Sequence, residues 1–266
     1  MIPPLSAETI FYIAGFPVTN AIINSWIAVV FFVTFAFIIS RKREMVPRGI
    51  QNVFEWIMEV LISFAEQVTG DKEKAMKFFP IAATIFVFVL FSNWIGLMPG
   101  TGSIGIYQLA HGEVELIPLL RPAGSDLNLT LAIAGFSIFM THVFGIIAIG
   151  TWKHFNKFVN IMGIVHSFKK GPMAVVIAII EFGVGLIELA GEVAKTLSLS
   201  LRLFGNIFAG EGLLTVLAGI MAYGLPIPFL FLELLVGMIQ ASVFAILFLA
   251  FASVATMDMH DEEEAH

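Results

Sequence analysis

Apolar residues follow one another almost without interruption through 22–40, 78–98, 128–152, 172–221 and 228–257. A helix needs about 20 such residues to cross the hydrocarbon core of a bilayer. Each stretch is therefore read as a membrane-embedded helix. The fourth is too long for one upright crossing, since a helix over 172–221 would extend about 75 Å against a core of about 30 Å. Pro172 is placed to start it, and Pro226 and Pro228 divide it from the fifth stretch. Nothing between those prolines breaks it. The pattern predicts that the last two helices, within 172–257, are long and strongly tilted, the first of them gently bent.

The segment 46–68 has a different pattern. Ile50, Val53, Phe54, Ile57, Leu61, Phe64, Ala65 and Val68 recur at helical spacing, while Glu55, Glu59 and Glu66 take the other side. This is the signature of an amphipathic helix lying at the interface or packed along the bundle. The fold class expected is thus an all-α polytopic membrane protein forming one integral membrane domain over 1–266. It has about five embedded helices and one interfacial helix.

Composition agrees. The chain is 58% hydrophobic and 13% charged, where a soluble domain carries about 25% charge. Nucleic acid is excluded as a partner, and membrane lipids are implied. The net charge of −6 owes much to Asp258, Asp261, Glu262, Glu263 and Glu264 in the tail 258–266. The absence of cysteine excludes disulfides and thiol chemistry. Neither a cofactor nor a metal is expected.

Basic residues set the orientation. Arg41, Lys42, Arg43, Arg48, Lys72, Lys74 and Lys77 lie between the first two spans, and Lys153, Lys157, Lys169 and Lys170 between the third and fourth. The 99–127 loop has only Arg121. The richly basic side is the expected cytoplasmic one. That puts residues 1–21 outside and the acidic tail inside. Trp26, Trp94 and Trp152 near span ends fit an aromatic belt. The first residues lack the basic region of a cleaved signal and the Arg- and Ser-rich character of a transit peptide. A bacterial plasma membrane is therefore expected.

Two cations, Lys195 and Arg202, fall inside the fourth stretch. An arginine stays charged, and placing it mid-bilayer costs roughly 2.5 to 3.5 kcal/mol on insertion scales. On an ideal helix Glu181, Glu188, Glu192, Lys195, Arg202 and Asn206 share an arc about 80° wide, with Glu211 on the opposite side. Glu233 and Gln240 on the last helix lie within about 20° of each other. Such a stripe faces another helix, a water-filled cavity or a partner subunit. Five carboxylates (Glu181, Glu188, Glu192, Glu211 and Glu233) against two cations cannot all be ionised and paired. Some must exchange protons or meet water.

Plainer readings compete. Glu192 and Lys195 have the spacing of a local ion pair. Asn206 and Gln240 suit an interhelical hydrogen bond. Asp126 suits the cap of a helix starting at Leu127. His142 stands alone in mid-span and reads as a packing histidine. Arg202 resists such a reading, being about thirty residues from the basic start of its segment, near the small residues Gly205, Ala209 and Gly212.

The run Leu199-Ser200-Leu201-Arg202-Leu203-Phe204-Gly205-Asn206-Ile207-Phe208-Ala209-Gly210-Glu211 resembles the signature of subunit a of F-type ATP synthases. Asn93-Trp94-Ile95-Gly96-Leu97-Met98-Pro99-Gly100 and Asp126-Leu127-Asn128-Leu129-Thr130-Leu131-Ala132 resemble two further stretches of that family. The resemblance runs from about residue 20 to near the end. It implies a non-catalytic stator subunit, whose helical pair 172–257 faces a ring of c subunits. Peripheral-stalk b subunits and the rest of the complex are further partners.

Under this resemblance, two half-channels lead protons to the ring's carboxylates, and Arg202 stands between them as the essential arginine. Asn206, Glu211, Glu233 and Gln240 line or support the outer half-channel, with Asp126 near its entrance. Glu188 belongs with the inner one. Some family members carry a histidine where this chain has Glu233. The competing function is a stand-alone secondary transporter in which Arg202 binds an anionic substrate. The lack of an inverted repeat argues against it, and the chain has no phosphate-binding loop of its own.

Overall fold

The structure is a computed structural model, and it describes residues 4, 7–41, 49–98, 101, 104–110, 113–158, 172–221 and 224–257. The elements are β1 (Thr9–Ile13), β2 (Phe16–Thr19), α1 (Asn20–Arg41), α2 (Ile50–Thr69), α3 (Lys72–Gly96), β3 (Gly105–Ala110), β4 (Glu113–Pro118), α4 (Leu127–Ile149), α5 (Thr151–Phe158), α6 (Pro172–Ile220) and α7 (Pro226–Ala255). Five helices, α1, α3, α4, α6 and α7, are long and apolar enough to cross a membrane. They fall on the five apolar stretches. The acidic tail 258–266, the loop cations Lys42, Arg43, Arg48, Lys169 and Lys170, and residues 46–48 of the expected interfacial helix lie outside the described residues.

Two features depart from the sequence expectations. Two antiparallel hairpins, β1–β2 and β3–β4, flank the helices, where only helices had been expected. The first turns at Ala14 and Gly15, both at positive φ, as a two-residue hairpin loop requires. The third span stops at Ile149 rather than running to 152. Gly150 adopts φ 87° there, a conformation a helix cannot continue through. The chain restarts as the short helix α5. By contrast, α6 agrees with the expectation: it begins at Pro172 and runs unbroken for 49 residues.

Two compact units make up the chain. The first comprises Met1–Ile133 with Ser200–Leu249, and the second Ala134–Leu199 with Ala250–His266. In the first unit the amphipathic helix α2 packs along α3, and α1 packs on α3. Phe31 and Phe32 of α1 meet Phe91 of α3 at ring separations of 4.5 and 4.8 Å. Asp71 caps α3 by accepting a hydrogen bond from Glu73 N. Buried polar residues knit the α3 end to the segment before α4. Asn24 Nδ2 donates to Ser92 O at 2.9 Å and to Arg121 O at 2.7 Å. Gly124 N donates to Asn93 Oδ1. A Cβ at Gly96 would collide with Pro122, so that glycine permits the close approach. Trp94 Nε1 donates to Leu234 O of α7 at 3.0 Å.

Candidate functional site

In the first unit, Ser200, Leu203, Ile207 and Gly210 form the buried side of α6. Ser200 meets Thr130 of α4 at 3.1 Å between hydroxyl oxygens. Arg202 lies off that buried arc and is exposed. Among the described residues it has no ion-pair partner. A permanent guanidinium on a membrane helix, unpaired among the described residues, is thus presented outward.

Asn206, one turn on, is also exposed, and its Nδ2 donates to Gln240 Oε1 of α7 at 2.9 Å. Gln240 itself is buried. The pair therefore ties α6 to α7 one turn from Arg202.

Glu211 has a partner the sequence reading missed. Arg121, read there only as a loop charge, is 2% exposed. Its Nε–H is shared by both oxygens of Glu211 at 3.0 Å each, and its Nη2 donates to Pro4 O at 2.9 Å. The balance of two embedded cations against five carboxylates is corrected accordingly, because a third cation neutralises Glu211. A signal for it existed in the sequence. Arg121 is the lone cation of an otherwise uncharged-to-acidic loop, directly before a proline and the Asp126 stretch.

Glu233 is the contrast. It is 7% exposed, and its Oε1 has no hydrogen-bond partner among the described residues. Its carboxyl fills the space left by Gly210 of α6, where a Cβ would overlap it. Asp126 is buried and accepts from Asn128 N at 2.9 Å. It thus caps α4.

The second unit holds a separate cluster. His142 does not stand alone, contrary to the sequence reading. Its Nδ1 lies 3.1 Å from Nε2 of His154 on α5, and its Nε2 lies 3.8 Å from Glu192 Oε2. Lys195 Nζ donates to Glu192 Oε1 at 2.7 Å, the local ion pair that the spacing allowed. Glu188 joins these residues around a cavity of about 30 Å³. The single polar arc of α6 is therefore divided. Arg202 and Glu181 are exposed, whereas the Glu192 carboxylate turns toward histidines of its own chain.

Fold and site together define a polytopic helical membrane protein with an exposed arginine on a membrane-length helix. Comparison with known proteins refines this class. The family model described as ATP synthase A chain matches residues 22–253. "ATP synthase subunit a" of Mycobacterium ulcerans is 34% identical over 253 residues, covering 93% of this chain and 90% of its own. The protein of that name from Gloeobacter violaceus is 30% identical, covering 91% and 85%. That from Moorella thermoacetica is 29% identical, covering 90% and 91%. The chain belongs to the ATP synthase A chain family.

Proposed function

We propose that this chain is the non-catalytic stator of a rotary ATP synthase in a bacterial plasma membrane, with its N-terminus outside and its C-terminus cytoplasmic. It works against a ring of c subunits and is held by peripheral-stalk b subunits. Two proton half-channels lead to the ring's carboxylates, and Arg202 separates them. The observation that carries this reading is the exposure of Arg202, which has no ion-pair partner among the described residues. A charge so costly to embed calls for an opposite charge from a neighbouring subunit. A passing carboxylate satisfies that need.

The physics follows from the guanidinium. It favours the ionised form of a carboxylate beside it, so the proton leaves. It cannot itself lose a proton, so it blocks a direct leak between the half-channels. Each proton crossing makes about 2.3 kcal/mol available per 100 mV. Glu233, Asn206 and Gln240 belong to the outer half-channel, with Arg121 holding Glu211 and Asp126 holding the start of α4. Glu188 belongs to the inner one.

The test is Arg202→Ala in membranes that retain the assembled complex. Proton-driven ATP synthesis is expected to be abolished while the subunit still co-purifies with the ring. Normal synthesis rates in that variant would refute the reading. Uptake of an anionic solute by the purified chain alone would favour a transporter instead.

A further inference from the structure

We propose that Asn93 is a positioning residue of the outer half-channel, whose side-chain amide holds a bound water against the carboxyl of Glu233. This rests on the half-channel reading above and deepens it. Asn93 stands near the end of α3, and every residue involved belongs to the first unit. Its Oδ1 accepts from Gly124 N at 3.3 Å. That bond assigns the amide's orientation, with the oxygen toward Gly124 and Nδ2 turned away. The neighbouring Trp94 bonds Leu234 O, which fixes this end of α3 against α7. A Cβ at Gly237 of α7 would lie 3.8 Å from Asn93 Cβ. A Cβ at Gly124 would meet both Asn93 Oδ1, at 2.6 Å, and Ile207 Cγ1 of α6, at 3.0 Å. Asn93 is thus enclosed between α6 and α7, and it is 1% exposed.

Both neighbouring helices put Asn93 at the same level. On α7, Gly237 follows Glu233 by one turn, about 6 Å of rise. On α6, Ile207 precedes Gly210, the residue whose missing Cβ admits the Glu233 carboxyl, by about 4.5 Å of rise. Continuing the same way, Gln240 follows Gly237 on α7 and Asn206 precedes Ile207 on α6. Asn93 therefore stands between the Glu233 carboxyl and the Asn206–Gln240 bond. Glu233, Gly237 and Gln240 share an arc of about 60° on α7, so one helix face carries all three.

The polar atoms at this level are complementary. Asn93 Nδ2, Glu233 Oε1 and Gln240 Nε2 are buried and have no hydrogen-bond partner among the described residues. Buried polar groups are nearly always bonded, to protein or to ordered water. Nδ2 can only donate, and a carboxylate oxygen accepts. A separation of about one turn is too long for a direct bond and suits two hydrogen bonds of about 2.8 Å in series through one water. The water accepts from Asn93 Nδ2 and donates to Glu233 Oε1. Gly237 leaves room for it, since nothing would stand nearer than 3.5 Å to a Cβ there. The amide itself carries no proton. It orients the water that the Glu233 carboxyl meets, and without that donor the carboxyl has no polar partner at this level.

The experiment compares Asn93→Thr with Asn93→Val in vesicles carrying the complete complex. These side chains share one branched shape and differ in a hydroxyl that can donate. Proton-driven ATP synthesis is expected to fall several-fold in Asn93→Val, and Asn93→Thr to run at least about twice as fast as the valine variant. A smaller ratio overturns the proposal, whether both rates are normal or both slow, because packing alone then accounts for them. A second measurement needs no variant and decides if either fails to assemble. A map of the parent complex detailed enough to show waters should hold one within about 3.2 Å of both Asn93 Nδ2 and Glu233 Oε1. A direct hydrogen bond or a dry gap there overturns the proposal. Arg202→Ala is run alongside. If that variant still makes ATP, the stator reading has failed, and the map still decides whether Asn93 holds the water.

Discussion

Arg121 and Glu211, ninety residues apart in sequence, share one ion pair in which a single Nε–H reaches both carboxylate oxygens at 3.0 Å. The guanidinium is almost wholly enclosed. Because a second donor of Arg121 holds Pro4 O, the pair also fastens the start of the chain to α6.

Removing one member of an enclosed pair leaves a charge without a partner, which costs about 3–5 kcal/mol. Arg121→Gln and Glu211→Gln should each lower the thermal midpoint of the solubilised complex strongly. The double variant should recover part of the loss, since no charge is then stranded. Additive losses in the double variant would show that the two residues do not act as a pair.

Gly210 and Glu233 make a second coupled site. Alanine is the better helix former by about 0.5–1 kcal/mol, so Gly210→Ala should leave the stability of α6 intact or improved. The added methyl must nonetheless displace the Glu233 carboxyl. Proton-driven ATP synthesis is therefore expected to fall several-fold in Gly210→Ala without loss of assembly. Glu233→Gln should fall at least as far. An unaltered rate in both variants would remove Glu233 from the proton path.

The Asn206–Gln240 bond joins α6 to α7 at 2.9 Å. Interhelical hydrogen bonds within membranes average about 0.6 kcal/mol. Gln240→Ala should accordingly shift the thermal midpoint only slightly. A loss of assembly in that variant would mean that the bond carries far more than its geometry indicates.

Asp126 supplies the first-turn acceptor of α4. Asparagine caps nearly as well, whereas alanine costs about 1 kcal/mol. Thermal unfolding of the complex should show Asp126→Ala destabilised and Asp126→Asn close to the parent. Equal destabilisation in both would assign the stability to the charge rather than to the cap.

Much of this protein was legible along the chain because bilayer crossing is a one-dimensional demand. An apolar run of sufficient length must be a helix, and its backbone must be satisfied within itself. The five spans, the amphipathic α2, the proline start of α6 and the expense of Arg202 all follow from that demand. So did the local pairing of Glu192 with Lys195 and the cap at Asp126, which depend on residues within three positions. The hairpins were missed because their short strands lie among long apolar helices and resemble loop. The break at Gly150 was missed because the residues before it are as apolar as a span and Trp152 reads as the span's interfacial end.

What the tertiary structure decided was partnership across distance. Helical periodicity put Arg202, Glu192 and Lys195 on one arc, but it could not say that Arg202 is exposed while Glu192 turns to His142. Nor could spacing join Arg121 to Glu211, His142 to His154, or the Glu233 carboxyl to the space above Gly210. Each of those depends on which helix face meets which neighbour, and packing alone fixes that. The sequence by itself determined where charge enters the membrane, because embedding a charge is costly whatever surrounds it. Only the fold determined which of those charges are paired among the described residues, as Glu192 and Glu211 are, and which, like Arg202, are exposed.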